Sequence, residues 1–401
     1  MKPKYELMAP AGNFPMLSAA VNAGADAVYF GLNEFSMRAT SKNFDLSDLD
    51  EMRAICDSSD RDVKLYLTLN TIVYDEELEK LEVIIARVKN KVNAIICWDH
   101  AVMLLCRKHE ISFFISTQAS VANRAAAEYY KQLGARRVVL ARELNLEQIK
   151  QIAEVIEVEA FVHGAMCVAV SGRCFMSQFT YDKSANRGEC YQNCRRSYTI
   201  IDDAGHELQL ENSRVLSAKD LCMLPHIERM KEAGVTSFKI EGRGREPRYV
   251  DIVTRVYRKA LDQKLSEDEI NAEVEQLKKV FNREFSTGFY LGQPADTDFS
   301  PTENNAATEI KIGLGKIVNY YPKNKVASIL LTDELTPGDQ IVVIGNKTGI
   351  VTTIVDTIEI ENERVAKGDK GQLVGIKIGR VRENDKVFKI VEKNKNGKAR
   401  L

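Results

Sequence analysis

The sequence predicts an α/β protein, a (β/α)8 barrel followed by a small all-β barrel. Eight short apolar runs recur between residues 5 and 242, and helix-like amphipathic stretches lie between most of them. Short buried strands that alternate with helices are typical of a parallel sheet, and eight of them fit a closed barrel. From about residue 309 the runs are closely spaced and separated by the turn sequences PGD, KGD and END, which indicates an all-β domain. An open doubly wound sheet is the alternative for the first part, but no glycine-rich fingerprint follows the first run.

The predicted elements divide the chain into two domains and a linker. The strands of the first domain are predicted at residues 5–12, 26–31, 63–70, 93–99, 111–117, 136–142, 159–164 and 236–242. Residues 1–280 form this domain, with two helices over 247–280 and a cysteine-bearing segment at 159–198. Residues 281–308 are rich in Gly, Pro, Asn and Thr and are expected to be a linker. Residues 309–401 form the second domain, with strands predicted at 310–321, 325–332, 339–345, 349–361, 372–379 and 386–393.

Composition sets limits on the function. The chain has 401 residues, a net charge of −1 and 44% hydrophobic residues, an ordinary globular balance. A nucleic-acid-binding protein with this balance needs a local basic patch. There is no signal-peptide pattern and no run of about 18 apolar residues, so we expect a cytoplasmic protein with no membrane partner. In that reducing compartment the eight cysteines are expected to be thiols or metal ligands.

Four cysteines are the most informative feature. Cys167, Cys174, Cys190 and Cys194 have the spacing Cys-x6-Cys-x15-Cys-x3-Cys, and nearby glycines loosen the backbone. Four soft sulfur ligands suit an iron–sulfur cluster or a structural zinc ion. The wide spacing lacks the Cys-x2-Cys pairs of most zinc sites and favours a cluster, with zinc and structural thiols as the alternatives.

Polar residues follow the predicted strands, where a barrel of this kind carries its active site. They are Asn70, Asp99, Gln118, Ser120, Arg142, His163, Glu241 and Arg243. Each alone can be a loop residue or a helix cap, but together they predict a polar pocket. Glu241 and Arg243 can bind a carboxylate or phosphate, and Arg243 offers the planar fork that Lys239 lacks. The alternative for these residues is a surface ion-pair network.

A basic segment accompanies the cysteines. Arg187, Arg195 and Arg196 are interleaved with Tyr181, Tyr191 and Tyr198. Arginines with aromatic rings on one face can hold a phosphate backbone and stack bases, so these arginines are the candidate RNA-binding residues. The alternative is a solvated charged face.

The cysteine segment also carries a resemblance. Glu159-Ala-Phe161, Gly164-Ala-Met-Cys167, Gly172-Arg-Cys174 and Ser177 resemble the signature of the collagenase-like peptidase family, unclassified-peptidase family thirty-two. Further similar stretches are APAGN (9–13), FGLNEFSMRA (30–39), STQAS (116–120), LSAKDL (216–221), KIEGR (239–243) and NREFSTGFY (282–290). The C-terminal domain resembles that of the family, which is similar to domain two of translation elongation factors.

The resemblance implies oxygen-independent RNA hydroxylation. The chain is most similar to the family branch that makes 5-hydroxyuridine at the wobble position of tRNA, with prephenate as co-substrate and a [4Fe–4S] cluster. The cluster ligands then fall on Cys167, Cys174, Cys190 and Cys194, with Cys222 a spare if Cys194 does not bind. The implied partners are tRNA, a small dicarboxylate and an electron donor. Hydroxylation of ribosomal RNA and a peptidase of unrecognised mechanism remain the alternatives.

Residue roles follow from this combination of pattern and resemblance. Arg142, Lys239 and Arg243 are expected to bind the dicarboxylate, with Arg243 exposed in the pocket. The predicted catalytic residues, which orient the substrate, are Asn70, Gln118, His163 and Glu241. The C-terminal domain and the three arginines of the basic segment are expected to share one tRNA-binding surface.

Overall fold

The barrel is closed by eight parallel strands. A computed structural model describes residues 5–37, 43–208, 214, 216–302 and 305–394. The barrel strands are β1 (Glu6–Pro10), β2 (Ala27–Gly31), β3 (Lys64–Thr68), β4 (Ala94–Cys97), β5 (Phe113–Ile115), β6 (Arg137–Val139), β7 (Glu157–Gly164) and β11 (Ser237–Ile240). Each strand pairs in parallel with the next, and β11 pairs with both β7 and β1. The predicted barrel is confirmed, and the open-sheet alternative is excluded.

Helices cover the outside of the barrel. They are α1 (Phe14–Asn22), α2 (Leu49–Asp57), α3 (Leu78–Val88), α4 (His100–Lys108), α5 (Arg124–Gln132), α6 (Leu146–Ala153), α8 (Ile227–Glu232), α9 (Pro247–Asp262) and α10 (Glu267–Lys278), whereas the short α7 (Met176–Tyr181) lies in the cysteine segment. Side chains of Asn13, Asp99, Asn123, Asn145 and Ser266 accept hydrogen bonds from the first turns of five of these helices. Such caps satisfy backbone N–H groups that have no partner within the helix. The main hydrophobic core lies between these helices and the strands.

The cysteine segment lies between the last two strands of the barrel. The chain leaves β7 and passes through α7, and then forms a two-stranded antiparallel pair, β8 (Ile200–Ile201) and β9 (Glu207–Leu208). It returns as β10 (Asp220–Cys222), which runs antiparallel to the end of β7 and pairs with β12 (Phe285–Ser286). The segment is therefore anchored at the C-terminal end of the barrel.

The C-terminal domain is an antiparallel sheet of eight strands. They are β13 (Glu309–Tyr321), β14 (Val326–Leu331), β15 (Gln340–Gly345), β16 (Gly349–Ile354), β17 (Ile358–Ile360), β18 (Glu363–Val365), β19 (Leu373–Lys377) and β20 (Lys386–Glu392). Their order is β16-β15-β20-β13-β14-β19-β17-β18. Ile341 near one edge and Ile358 near the other share one core, so the sheet wraps around it.

This domain packs against α1 of the barrel. Ala19 contributes to a small apolar cluster with Val342 and Ile350. The hydroxyl of Ser18 donates to the carbonyl of Asn346. Gly349 has φ of 66°, and a Cβ there would lie 2.8 Å from the backbone nitrogen of Ala19. A side chain at position 349 would therefore separate the two surfaces. Each helix that the structure describes falls short of the length or the hydropathy that crossing a bilayer requires.

Candidate active site

A cavity of about 150 Å³ lies at the C-terminal end of the barrel. Its lining includes the side chains of Asn70, Gln118, Arg142, Lys239, Glu241, Arg243, Cys167, Cys174, Cys190, Cys194 and Arg195. Most of the residues that the sequence indicated for a polar pocket therefore meet at one place. Parallel strands bring their carboxyl ends to one face of a barrel, which is why residues distant in sequence converge here.

The floor of the cavity is a buried charged network. Lys239 lies 2.7 Å from the Glu159 carboxylate, and Arg137 lies 3.1 Å from the same carboxylate. Glu159 is fully buried, and the ammonium of Lys239 is 4.4 Å from the centre of the Tyr29 ring. Burial lowers the pKa of Lys239, whereas Glu159 opposes that shift. Arg137 and Glu159 were missed from the sequence, although a charged residue at an inward-facing position of a buried strand is a recognisable signal.

Arg243 is held by neutral groups. Its Nη1 donates to the hydroxyls of Ser36 and Thr68 at 2.7 and 2.8 Å, and its Nη2 donates to the Asn43 amide oxygen at 2.8 Å. The side chain is only 4% exposed, so the expectation of an exposed arginine is wrong. A Cβ on Gly31 would lie 2.4 Å from Nη2, so any larger residue there would displace this guanidinium.

Arg142 follows β6, at the C-terminal end of that strand. Its Nη1 donates to the carbonyl of Ala165 at 2.8 Å, and its guanidinium carbon lies 4.0 Å from the centre of the Phe161 ring. The stacking and the single hydrogen bond fix the plane of the guanidinium. Further N–H groups of Arg142 are then available to a ligand in the cavity.

Asn70 and Gln118 form a polar pair. The Asn70 amide nitrogen is 3.3 Å from the Gln118 amide oxygen, which also accepts from the hydroxyl of Ser116. Both residues are buried at the cavity wall. The shared contact fixes the two amides relative to each other.

His163 does not line the cavity. The register of β7 against β11 shifts after Phe161, because Lys239 pairs with Phe161 and Ile240 pairs with His163. This bulge turns His163 away from the barrel interior and towards the rings of Tyr249 and Tyr257, at centroid distances of 5.9 and 5.5 Å. Its position therefore does not support the predicted catalytic role. Burial lowers the pKa of His163 to about 3.

The cysteine segment places four thiols around the cavity. The backbone N–H of Cys174 donates to the Asn186 side chain at 3.0 Å, and the N–H of Met176 donates to the sulfur of Cys174 at 3.4 Å. Gly188 has φ of 98° and closes the turn that precedes Cys190. Burial raises the pKa of the Cys194 thiol, Arg195 opposes that shift, and the other three cysteines add to it. All four cysteines also line the cavity.

Two further findings concern the possible metal ligands. Among the residues that the structure describes, no three His, Cys, Asp or Glu side chains are grouped so that they could hold one metal ion. Cys222 is buried in β10 and does not line the cavity. Its sulfur lies 3.7 Å from the Tyr257 hydroxyl, and burial raises its pKa to about 11.

The three candidate RNA-binding arginines have different surroundings. Arg195 is 9% exposed and donates to the carbonyls of Met166 and Ala218, so it anchors the segment rather than facing a partner. Arg187 donates to the carboxylate of Glu77 and to a backbone carbonyl. Arg196 is exposed, 5.5 Å from the Tyr181 ring centre. Burial therefore argues against the RNA-binding role predicted for Arg195, whereas Arg196 is accessible.

The fold and the site together define a class of protein. It is a (β/α)8-barrel enzyme in which a segment inserted after the seventh strand places four cysteines beside a cation-lined cavity. Residues 12–300 match peptidase family U32, and the chain belongs to that family. The family predicted from the sequence is thereby confirmed.

Relatives of this chain carry two kinds of name. A collagenase of Porphyromonas gingivalis is 40% identical over 96% of this chain and 97% of its own length. The tRNA hydroxylation protein P1 of Bacillus subtilis is 33% identical over 94% of this chain and 92% of its own length. The 23S rRNA 5-hydroxycytidine synthase of Escherichia coli is 38% identical over 65% of this chain and 39% of its own length.

Proposed function

We propose that this chain hydroxylates carbon 5 of the wobble uridine of tRNA, with prephenate as hydroxyl source and a [4Fe–4S] cluster on the four cysteines. The observation that carries the proposal is the convergence of four thiols and four cationic side chains on one cavity. One relative, which matches over nearly all of both chains, is named for tRNA hydroxylation. Another, which matches over part of its length, is named as an rRNA hydroxycytidine synthase. Both names support RNA as the substrate.

The donor set fits a multinuclear cluster better than one zinc ion. Most zinc sites use Cys-x2-Cys pairs, which the spacing of these four cysteines lacks. Four thiols around a shared cavity, with N–H donation to the sulfur of Cys174, provide ligands and a hydrogen bond to them. A bound cluster would supply one-electron chemistry beside the cavity.

The cationic residues suit a small dicarboxylate. Arg142 and Lys239 line the cavity with their positions fixed by ring contacts, and Arg243 is fixed by hydroxyl groups. Because these positions exist before a ligand arrives, little side-chain entropy is lost on binding. With the Gln118 oxygen engaged, its N–H groups can orient the ligand. A polynucleotide would enter such a site by inserting a single flipped base beside the dicarboxylate.

Peptidase activity is the second candidate because of the collagenase name. Nucleophilic peptide hydrolysis needs a hydroxyl or thiol next to a base. Ser116, Ser171 and Ser177 line the cavity, but no histidine is among the lining residues that the structure describes. The arrangement therefore favours hydroxylation.

Reconstitution in vitro tests the proposal. Protein purified without oxygen is incubated with unmodified tRNA and prephenate, and nucleosides are then measured by mass spectrometry. We expect 5-hydroxyuridine only when prephenate is present, and none with Cys174→Ala. Cys56→Ala is the matched control, because Cys56 is buried away from the cavity. If the protein degrades denatured collagen and leaves the tRNA unmodified, the result would favour the peptidase instead.

A further inference from the structure

A second cavity, of about 620 Å³, adjoins the cysteine-lined one. Cys190, Gln192 and Arg195 line both cavities. The remaining residues of the second cavity are Tyr191, Arg196, Ser197 and Arg283. Three of the seven lining residues are arginines and none is acidic, so the cavity favours an anion.

Arg283 is buried with hydrogen-bond donors unused. Its side chain is 5% exposed, and its Nη2 donates to the Gln192 amide oxygen at 3.0 Å. Its Nε and Nη1 have no hydrogen-bond partner in the described part of the chain. The nearest carboxylate oxygen, Oδ1 of Asp220, is 3.8 Å from Nη1 and also lacks a hydrogen bond. Burying such donors without hydrogen-bond partners costs free energy, which electrostatic attraction between the guanidinium and an anion in the cavity would offset in part.

The mouth of the same cavity is aromatic. Tyr191 is 49% exposed, and its ring centre lies 5.4 Å from that of Tyr181. Arg196 lies over the Tyr181 ring and lines the cavity. Exposed rings beside arginines are the combination that single-stranded nucleic acid uses, with bases stacked on rings and phosphates on guanidinium groups.

We propose that the second cavity binds a backbone phosphate of single-stranded RNA. Arg283 and Arg196 hold the phosphate, and Tyr191 stacks on the attached base. The phosphate belongs to a nucleotide beside the one whose base enters the cysteine-lined cavity, because the two cavities share a wall. This inference rests on the proposed function. A flexible strand reaches a buried guanidinium more easily than the folded surface of an acidic protein, which is why we favour RNA.

The salt dependence of RNA binding tests the subsite. The probe is an unmodified anticodon stem–loop, and its affinity is measured by fluorescence anisotropy over a series of salt concentrations. Loss of one phosphate contact decreases the magnitude of the negative slope of log K against log salt by about 0.7. We expect that decrease, with about 10- to 100-fold weaker binding, in Arg283→Gln. Arg124→Gln removes the same charge from an exposed site on α5 and should leave the slope unchanged.

A second variant and a neutral probe protect the test against misfolding. Arg196 is exposed, so Arg196→Gln should fold normally and also lower the slope. In a series of probes, each carries one uncharged methylphosphonate linkage at a different position. Wild-type protein should bind weakly only the probe whose neutral linkage replaces the contacted phosphate. That probe should lose little further affinity with Arg283→Gln. Wild-type slopes in both variants would overturn the subsite while the proposed function stands. They would favour an acidic protein as the partner of these arginines. Failure of the wild-type protein to bind the probe would overturn both.

Discussion

Replacing His163 by leucine should make the stability of this protein less dependent on pH. His163 is 1% exposed, and burial lowers its pKa from 6.5 to about 3. Below pH 6.5 the unfolded chain therefore binds a proton that the folded chain excludes, so the histidine destabilises the fold as pH falls towards 3. At pH 5 the difference is about 1.5 pH units, and at about 1.36 kcal/mol per unit the penalty is about 2 kcal/mol. At pH 7.5 the penalty is close to zero.

Urea unfolding followed by circular dichroism at pH 7.5 and pH 5 measures this effect. Any packing defect in His163→Leu acts at both pH values, so the informative quantity is the difference between them. The variant should lose about 2 kcal/mol less unfolding free energy than wild type on acidification. It should also retain hydroxylation at pH 7.5, because His163 does not line the cavity. The same pH dependence in both proteins would refute the reasoning, and loss of activity from the folded variant would return His163 to the active site.

Three further predictions concern the cavity and the cysteine segment. Gly31→Ala should displace the Arg243 guanidinium, destabilise the fold by about 1–3 kcal/mol and impair hydroxylation; an unchanged melting temperature with full activity would contradict this. If the proposed cluster is bound, Cys222→Ala purified without oxygen should contain iron and sulfide and absorb visible light, whereas Cys190→Ala should not; the same content in both would remove Cys190 from the proposed ligand set. Arg187→Gln should speed limited proteolysis of the cysteine segment, because the ion pair with Glu77 in the loop after β3 is lost; wild-type cleavage rates would show that this ion pair does not order the segment.

The barrel was predictable because its strands are apolar runs of the right length. The bulge at the end of β7 was not, because nothing in the local sequence distinguishes Phe161 from His163 as an inward-facing residue. Only pairing with β11 sets which side chain enters the cavity. The C-terminal domain shows the same limit. The strand predicted at 349–361 is two strands, β16 and β17, which pair with different neighbours.

Residue type was predictable more often than residue environment. The sequence placed arginines beside the cysteines, but burial separates Arg195, which holds backbone carbonyls, from the exposed Arg196. Arg283 lies almost 90 residues further along the chain from Cys194 and reaches the segment only through the fold. Such contacts depend on tertiary packing, which periodicity and spacing do not encode.

The pair of Lys239 and Glu159 can separate stability from substrate binding. Lys239→Met leaves the buried Glu159 with Arg137, 3.1 Å away, as a remaining partner, so the cost in stability should fall below the roughly 3–5 kcal/mol of a fully broken buried pair. The double variant Lys239→Met with Glu159→Gln removes the buried carboxylate charge, while Arg137 keeps Glu6 and Glu157 as partners, and should recover much of that loss.

Activity should not recover with stability if Lys239 binds a carboxylate of the co-substrate. Loss of a hydrogen bond to a charged group corresponds to about 10- to 100-fold. We therefore expect KM for prephenate to rise by that factor in both the single and the double variant, while KM for tRNA is unchanged. Steady-state kinetics with each substrate varied in turn measure the two values, and urea unfolding reports the stability. A double variant with wild-type KM for prephenate would show that Lys239 only neutralises Glu159. The candidates for binding the acid would then be Arg142 and Arg243, whose guanidinium groups also line the cavity.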